Sequence, residues 1–323
     1  MPLARILVAV KRLLILRALK LGDLVCAIPA LRALAHAFPG HERVLAAPAW
    51  LEPLVRVIDA GEGRAIDRLV PAAELEPLPR ELHDCALAAN LHGRGPQSHR
   101  VLLATRPRNA LWFANPQVPA SAGGPPWRAD EHEVQRWCRM LAAYGVAADP
   151  ADIRLRLPTS GERARGVTLI HPGASSPARQ WPLQRFAAVA HAERRRGRKV
   201  LVTGTRGEAE LARRLAETAG LPAGAVIAGR TDLLELAATV AGAGRLVCGD
   251  TGVAHLAFAL CTPAVVLFGP TSPAHWGPPP AEGHSIHRVL WAGHAGDPHA
   301  SKPDPGLLEL EPDQVIAALA QLP

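Results

Sequence analysis

The residues able to do chemistry in this chain gather where apolar runs stop. The stretch "RLVCGDTGVAHLAFAL" (245–260) is apolar as far as Gly249, breaks at Asp250-Thr251-Gly252, and resumes as a second apolar segment carrying His255. If a helix starts at the break, the N–H groups of Thr251, Gly252 and Val253 lack intrahelical partners and point outward, where the helix dipole favours an anion. Gly252 lets that backbone approach a ligand with no Cβ in the way. Asp250 would compete with a bound phosphate, and fits better on sugar hydroxyls or as a side chain fixing the turn. His255, about one helical turn after Thr251, either meets the phosphates or is a satisfied core histidine.

Four other joints repeat the arrangement. In "HPGASSPARQWP" (171–182), Gly173, Ser175 and Ser176 make a compliant loop rich in donors, and Arg179 adds a fixed positive charge. A diphosphate needs that combination, although a routine βα loop with a surface arginine would look the same. In "VTGTRGEAE" (202–210), Glu208 is placed either to cap a helix or to accept hydrogen bonds from a ribose diol. "GRTDLLEL" (229–236) has Asp232 and Glu235 at capping-box spacing, which leaves the backbone near Thr231 to border a base pocket. In "LKLGDLVCAIP" (19–29), Asp23 can cap the helix that follows. Facing a cleft whose other wall binds a nucleotide, it becomes a general base instead.

Other chemistries find little support. "HEVQR" (132–136) lacks the second histidine of a zinc-protease helix, and His284, His287, His294 and His299 follow no ligand spacing. No metal and no cofactor are therefore expected. No P-loop, nucleophile elbow or dinucleotide fingerprint is present. The five cysteines (Cys26, Cys85, Cys138, Cys248, Cys261) are scattered and odd in number, which suits reduced core thiols in a cytoplasmic protein. The formal net charge of +7 reflects either solvated arginine-rich faces or anionic partners such as nucleotide diphosphates or an acidic membrane surface. Dispersed arginines, a single Tyr and five Phe argue against nucleic acid. At the start, "MPLARILVAVKRLLILRALKLGD" is broken by Arg5, Lys11, Arg12 and Arg17 well before the ~20 apolar residues of a membrane span, and no signal-peptide cleavage site follows. Its first dozen residues read as a plain extension or as a basic amphipathic surface segment.

The elements that must position these joints alternate. Strands are expected at "LLILR", "RVLAA" and "DCALAANLHG" in the first half, with helices over "LVCAIPALRALAHAF" and "AWLEPLVRVI". In the second half they are expected at "VTLIHPG", "KVLVTGT", "AVIAG", "RLVCG" and "AVVLFGP". Helices run from about Pro182 to Arg196, over "EAELARRLAETAG", from Asp232 and from Thr251. Short apolar runs between amphipathic helices indicate parallel strands covered on both faces, hence two doubly wound α/β domains. The polar stretch "DPADIRLRLPTSGERARG" (149–166) is the linker, giving an acceptor-side domain at 1–160 and a second domain at 161–323. Residues 277–305 read as a long surface loop. A capped helix at 311–322 closes the chain and is free to pack back on the first domain. Ligands of open α/β sheets bind at the C-terminal strand edges, so the cleft between two such domains is the expected site.

Taken together, "LKLGDLVCAIPALRAL", "IHPGASSPARQWPLQRFA", "LVTGTRGEAE", "CGDTGVAHLAFALCTPAVVLFGPTSP" and "LEPDQVIAAL" resemble family 9 glycosyltransferases, the ADP-heptose:lipopolysaccharide heptosyltransferases. The resemblance runs in order from about residue 13 to 321, is strongest in the second half, and is loose over 60–165. It implies a GT-B architecture of two Rossmann-like domains with the donor held by the C-terminal one. It also implies an inverting, metal-independent sugar transfer from a nucleotide diphosphate sugar, ADP-heptose in the typical case, to a glycan or lipid-linked acceptor. Carried over by position, Asp23 is the base and Arg179 stands where relatives have a lysine facing the diphosphate. The amides of Thr251, Gly252 and Val253 hold the phosphates, with Ser175 and Ser176 beside them. Asp250 meets the sugar, Glu208 the ribose and Thr231 the base, while the role of His255 is left open. The implied location is cytoplasmic, with peripheral contact at the inner membrane. Other expectations compatible with the residues are a different nucleotide sugar or acceptor, a binding module that has lost catalysis, and an epimerase of the same architecture. Relatives carry cysteines in the loop before the last helix, where this chain has none.

Overall fold

The computed structural model describes residues 11–61, 63–157, 164–279 and 285–323. The N-terminal segment before Lys11, residues 158–163 of the expected linker and residues 280–284 of the expected surface loop lie outside the described residues. The chain forms two compact units. One takes the chain up to Lys20 together with Ala27–Ala129 and Arg136–Asp149; the other takes Leu21–Cys26, Asp130–Gln135 and everything from Pro150 onward. Two short segments from the first half of the sequence therefore belong, by packing, to the second unit.

The first unit is built on β1 (Lys11–Leu16), β2 (His41–Ala47), β3 (Arg68–Pro71), β4 (Leu87–Asn90) and β5 (Ala110–Leu111). They pair in the order β3-β2-β1-β4-β5, all parallel. The run "LLIL" is β1 itself, and Leu13 to Leu16 have no exposed surface. Burial of that kind, at about 1.5–3 kcal/mol per large apolar side chain, makes a central strand of an otherwise basic segment. Helix α1 (Leu21–Ala37) follows, then α2 (Gln97–Ala104) and α3 (Glu133–Ala142). Where β1 ends, Arg17 is fully buried, donates to the Leu91 carbonyl and lies 4.8 Å over the Trp137 ring.

The second unit carries β6 (Ala164–His171), β7 (Lys199–Val202), β8 (Ala243–Gly249), β9 (Ala264–Leu267) and β10 (His287–Leu290). Their order is β10-β9-β8-β6-β7, again all parallel. The connecting helices are α4 (Leu183–Arg195), α5 (Ala209–Thr218), α6 (Leu233–Gly242) and α7 (Gly252–Ala259), and α8 (Pro312–Ala320) closes the chain. Counted along the chain this is a 2-1-3-4-5 sheet, whose strand order reverses between β6 and β8. Ligands of such sheets sit at that reversal, beyond the carboxyl ends of the strands.

Three expectations need correction. "AVIAG" forms no full strand: Ala223–Ala225 is a single 3₁₀ turn, one bridge joins Val226 to Val202, and Gly229 at φ +70° turns the chain away. Within the supposed surface loop, His287–Leu290 is the edge strand β10, paired to β9 from Ala264↔His287 to Leu267↔Leu290. Its signal was hidden because an edge strand beside Pro-rich sequence needs little apolar length. Finally, α8 buries Val315, Ala318 and Leu319 in the core of the second unit, with Phe186 and Leu267, rather than turning back on the first domain.

Candidate functional site

The C-terminal ends of β6 and β8 bring one group of the expected residues together. Asp250 is the first residue after β8, and its N–H donates to the Leu267 carbonyl at 3.0 Å, which fixes the turn. Its carboxylate is buried and faces the Arg179 guanidinium, Nη1 to Oδ2 3.5 Å. Arg179 reaches it from a 3₁₀ turn, Pro177–Arg179, inside the loop after β6. Burial pushes the Asp250 pKa up; Arg179 and the Thr271 hydroxyl pull against that, and the charge of Asp23 adds to the rise. Asp23 itself lies in the first turn of α1, half-buried, two residues inside the helix rather than at its cap.

The polar atoms around this carboxylate are undersupplied with partners. Asp250 Oδ2, Arg179 Nε, Ser176 Oγ and Thr251 Oγ1 are buried without a hydrogen bond. Buried polar groups are normally paired, and each one left over costs about 1–3 kcal/mol. Several gather at one sheet edge, which makes it the candidate ligand site. Thr251 is the N-cap of α7 in extended conformation, and its hydroxyl makes no capping bond. The first N–H to turn back is that of Ala254, onto the Thr251 carbonyl at 3.0 Å, so the Gly252 and Val253 amides precede the helical ladder. Ser175 is exposed in the same loop as Ser176.

A second group sits beside it at the ends of β6 and β7. Glu208 closes the turn it begins, its Oε2 accepting from the Thr205 N–H at 2.7 Å. The capping reading of Glu208 is the one seen here, and the same carboxylate lies against Gly173, where any Cβ would overlap it. His171, the last residue of β6, is buried; desolvation pushes its pKa down, against the pull of Glu208 and the Thr203 backbone. A hydrogen bond from the Gly229 N–H to the Gly204 carbonyl, 2.9 Å, ties the loop of Thr231 to the turn of Glu208. Asp232 and Glu235 form the expected capping box (2.9 and 2.8 Å) and start α6, so those two side chains are spent on structure.

Gly252 and His255 both take part in packing, and His255 takes the core alternative of its two sequence readings. The side of Gly252 where a Cβ would stand is taken by Leu21, 2.9 Å away, and the ring of His255 fills the same space at Gly22, 2.6 Å away. The two glycines let the first turns of α1 and α7 pack closely, each glycine against a side chain of the other turn. His255 is buried, with Nδ1 3.4 Å from Cys26 Sγ and ring contacts to Phe258 and Trp276. It seats the turn that carries Asp23.

Sequence reasoning passed over His171, Thr203 and Thr271, which are polar, buried or nearly so, and placed at or just past the ends of β6, β7 and β9. Their common signal was available: each is the first polar residue ending an apolar run. Among the described residues, no group of three or more His, Cys, Asp or Glu could hold a metal, and no helix is long and apolar enough to cross a membrane. All five cysteines are thiols outside any disulfide.

Two parallel-sheet α/β domains of this kind make the GT-B architecture. The chain belongs to glycosyltransferase family 9 (heptosyltransferase), whose family model matches residues 125–294. It is 28% identical over 297 residues to lipopolysaccharide heptosyltransferase 1 of Pseudomonas aeruginosa, covering 82% of this chain and 81% of that one. In fold it is similar to a glycosyl transferase family 9 protein from Veillonella parvula (TM-score 0.74, 19% identity, 96% of each chain). It is also similar to E. coli ADP-heptose LPS heptosyltransferase II (TM-score 0.72, 21% identity, 96% and 97%).

Proposed function

We propose that the chain is an inverting, metal-independent transferase that moves heptose from ADP-heptose to a hydroxyl of a lipopolysaccharide-core or related glycan acceptor. One observation carries the reading: a buried carboxylate, a guanidinium and hydroxyls without partners share one sheet edge with the helix turn of Asp23. The name of the Pseudomonas relative, and the family it shares with this chain, support the sugar and the acceptor class. The donor domain is taken as 161–323 and the acceptor-side domain as 1–160. Net charge +7 suits work at the acidic cytoplasmic face of the inner membrane.

In this mechanism the acceptor oxygen attacks the anomeric carbon as its proton passes to the Asp23 carboxylate. The bond from that carbon to the diphosphate oxygen breaks, and ADP leaves with the electron pair. Arg179 and the amides of Thr251, Gly252 and Val253, with Ser175 and Ser176, take up the charge that develops on the leaving group. Asp250 accepts hydrogen bonds from the heptose hydroxyls, Glu208 from the ribose, and the Thr231 backbone borders the adenine. His255 holds the Asp23 turn from beneath. No metal is needed, because a fixed cation and a helix N-terminus neutralise the diphosphate. ADP release from ADP-heptose in the presence of core acceptors tests the reading. Asp23→Ala is expected to lower turnover by ~10²–10⁴ while ADP affinity is retained, and turnover equal to wild type removes Asp23 as the base.

A further inference from the structure

Arg179 and Asp250 face one another without making a hydrogen-bonded bridge. The Nη1 to Oδ2 distance of 3.5 Å lies outside the ~2.7–2.9 Å of a charge-assisted bond, and Oδ2 and the Arg179 Nε are both buried without a hydrogen bond. The carboxylate is the fixed partner: its side chain is 6% exposed, and its backbone N–H is held by the Leu267 carbonyl. The guanidinium is the movable one, on a side chain that is 25% exposed. Its backbone is pinned on two sides. The Ala178 carbonyl accepts from the Asp304 N–H at 3.1 Å, and the Arg179 carbonyl lies 3.3 Å from where a Cβ on Gly249 would stand. What can move at Arg179 is therefore its side chain. Directly after Asp250 comes Thr251, the start of α7 with no side-chain cap, so an anion held there has the carboxylate as its neighbour.

The surrounding groups leave Asp250 dependent on Arg179. Burial opposes its ionised form, and the guanidinium does most to offset that; the Thr271 hydroxyl after β9 helps, while Asp23 of α1 repels it. Cys248, on the same strand, has its thiol pushed up by burial and then by Asp250, so it stays protonated. His255 of α7 is turned to Cys26, Phe258 and Trp276. We infer that a bound diphosphate draws the Arg179 guanidinium off Asp250, and that Asp250 takes up a proton from solvent in exchange. The loss of its counter-ion and the arrival of an anion both favour the neutral acid. Once protonated, Oδ2 gains an O–H that donates to a phosphate oxygen, while the other oxygen still accepts from a sugar hydroxyl. The repulsion expected between Asp250 and a phosphate is thereby turned into a hydrogen bond. The complex holds a proton that the free protein lacks, so donor affinity falls as pH rises, by up to ~tenfold per pH unit. That fall runs from the pH at which Asp250 ionises in the free protein to the higher pH at which it ionises in the complex. The inference rests on the transferase reading, which is what brings a diphosphate to this edge.

Calorimetric titration of ADP into the full chain, in two buffers of different ionisation enthalpy at pH 6, 7 and 8, counts the protons exchanged. The wild type is expected to take up more protons than Asp250→Asn, the difference approaching about one per ADP. Asp250→Asn should bind ADP at pH 8 at least as tightly as the wild type, and its affinity should fall less between pH 6 and 8. Asp23→Asn, which removes the other acid acting on Asp250, should keep the wild-type uptake. ADP alone is the probe, so the sugar contact of Asp250 does not enter. Three results overturn the exchange and leave the transferase reading standing: wild-type uptake no greater than that of Asp250→Asn at every pH, a folded Asp250→Asn that binds ADP more weakly than the wild type at pH 8, or an uptake lost in Asp23→Asn. If Asp250→Asn does not fold, the wild type decides by itself, since ADP binding with no proton uptake at any of the three pH values overturns the exchange equally. Absence of ADP binding by the folded wild type strikes the transferase reading and the inference together.

Discussion

Glu193 and Asp250 are both buried carboxylates of the second unit, facing opposite ends of the same two strands. Glu193, on α4, receives the Thr168 hydroxyl of β6 at 2.6 Å and is ringed by Arg196 (3.3 Å), Arg198 (3.6 Å) and Arg245 (3.7 Å) of the surrounding elements. Arg245 in β8 pairs in register with Thr168, and Asp250 lies five residues, ~16 Å, further along the same strand line. There the carboxylate has one guanidinium at 3.5 Å and an oxygen with no hydrogen bond. The same type of residue, equally buried, is saturated by the protein at one end and left wanting at the other. On the proposed function, the difference separates a side chain kept for the fold from one kept for a ligand. It follows the general asymmetry of α/β sheets, whose carboxyl edge binds and whose amino edge only packs.

The contrast can be broken most forcefully at Glu193. Replacing it by alanine leaves the buried Arg245 guanidinium and the buried Thr168 hydroxyl without their acid and should cost ~3–5 kcal/mol, read by denaturant unfolding. A loss below 1 kcal/mol would mean that the saturated end matters no more than the other. Asp250→Asn should do the reverse, abolishing transfer while raising stability at neutral pH by about 1 kcal/mol, or ~2–4 °C in Tm. The sign follows from the raised pKa. The folded state holds the Asp250 proton more tightly than the unfolded chain, so stability is lost as pH rises from about 3.8 through the folded value, and the asparagine escapes that loss. A lower Tm for Asp250→Asn would place Asp250 with Glu193 among the structural residues.

A smaller effect gives both variants a reference. Burial holds His92 and His287 down at about 4, with Arg17 adding to the push on His92. Folded, each binds fewer protons than the unfolded chain, so its contribution is fully present above pH 6.5 and is lost as pH falls toward 4. Neither carboxylate enters the causes, so the acid limb of Tm against pH should persist in Glu193→Ala and in Asp250→Asn alike. A limb that vanishes with Asp250 would assign it to the site.

Much of the clustering of polar residues at the strand ends could be read because its elements are local. Each strand-loop-helix joint of the second unit carries its own period change, glycine and capping residue, and Asp232 with Glu235 starts α6 as their spacing requires. What escaped depends on distant pairings. Nothing near Gly22 or Gly252 in sequence shows that the two helix turns touch, nor that His255 lies against Cys26 more than two hundred residues away. The short strand β10 and the single bridge at Val226 fell outside the pattern because their pairing is decided by the neighbouring strand rather than by their own apolar length. The domain assignment of α8 also turns on packing, since a capped amphipathic helix looks the same whichever core it joins.

The central claim is that the unsatisfied end of the second sheet binds the nucleotide diphosphate through Arg179 and the α7 N-terminus. Calorimetric titration of ADP into the wild type and into Arg179→Ala measures it directly. The account predicts binding by the wild type and at least a tenfold loss in the variant, and equal ADP affinity in the two proteins would contradict it.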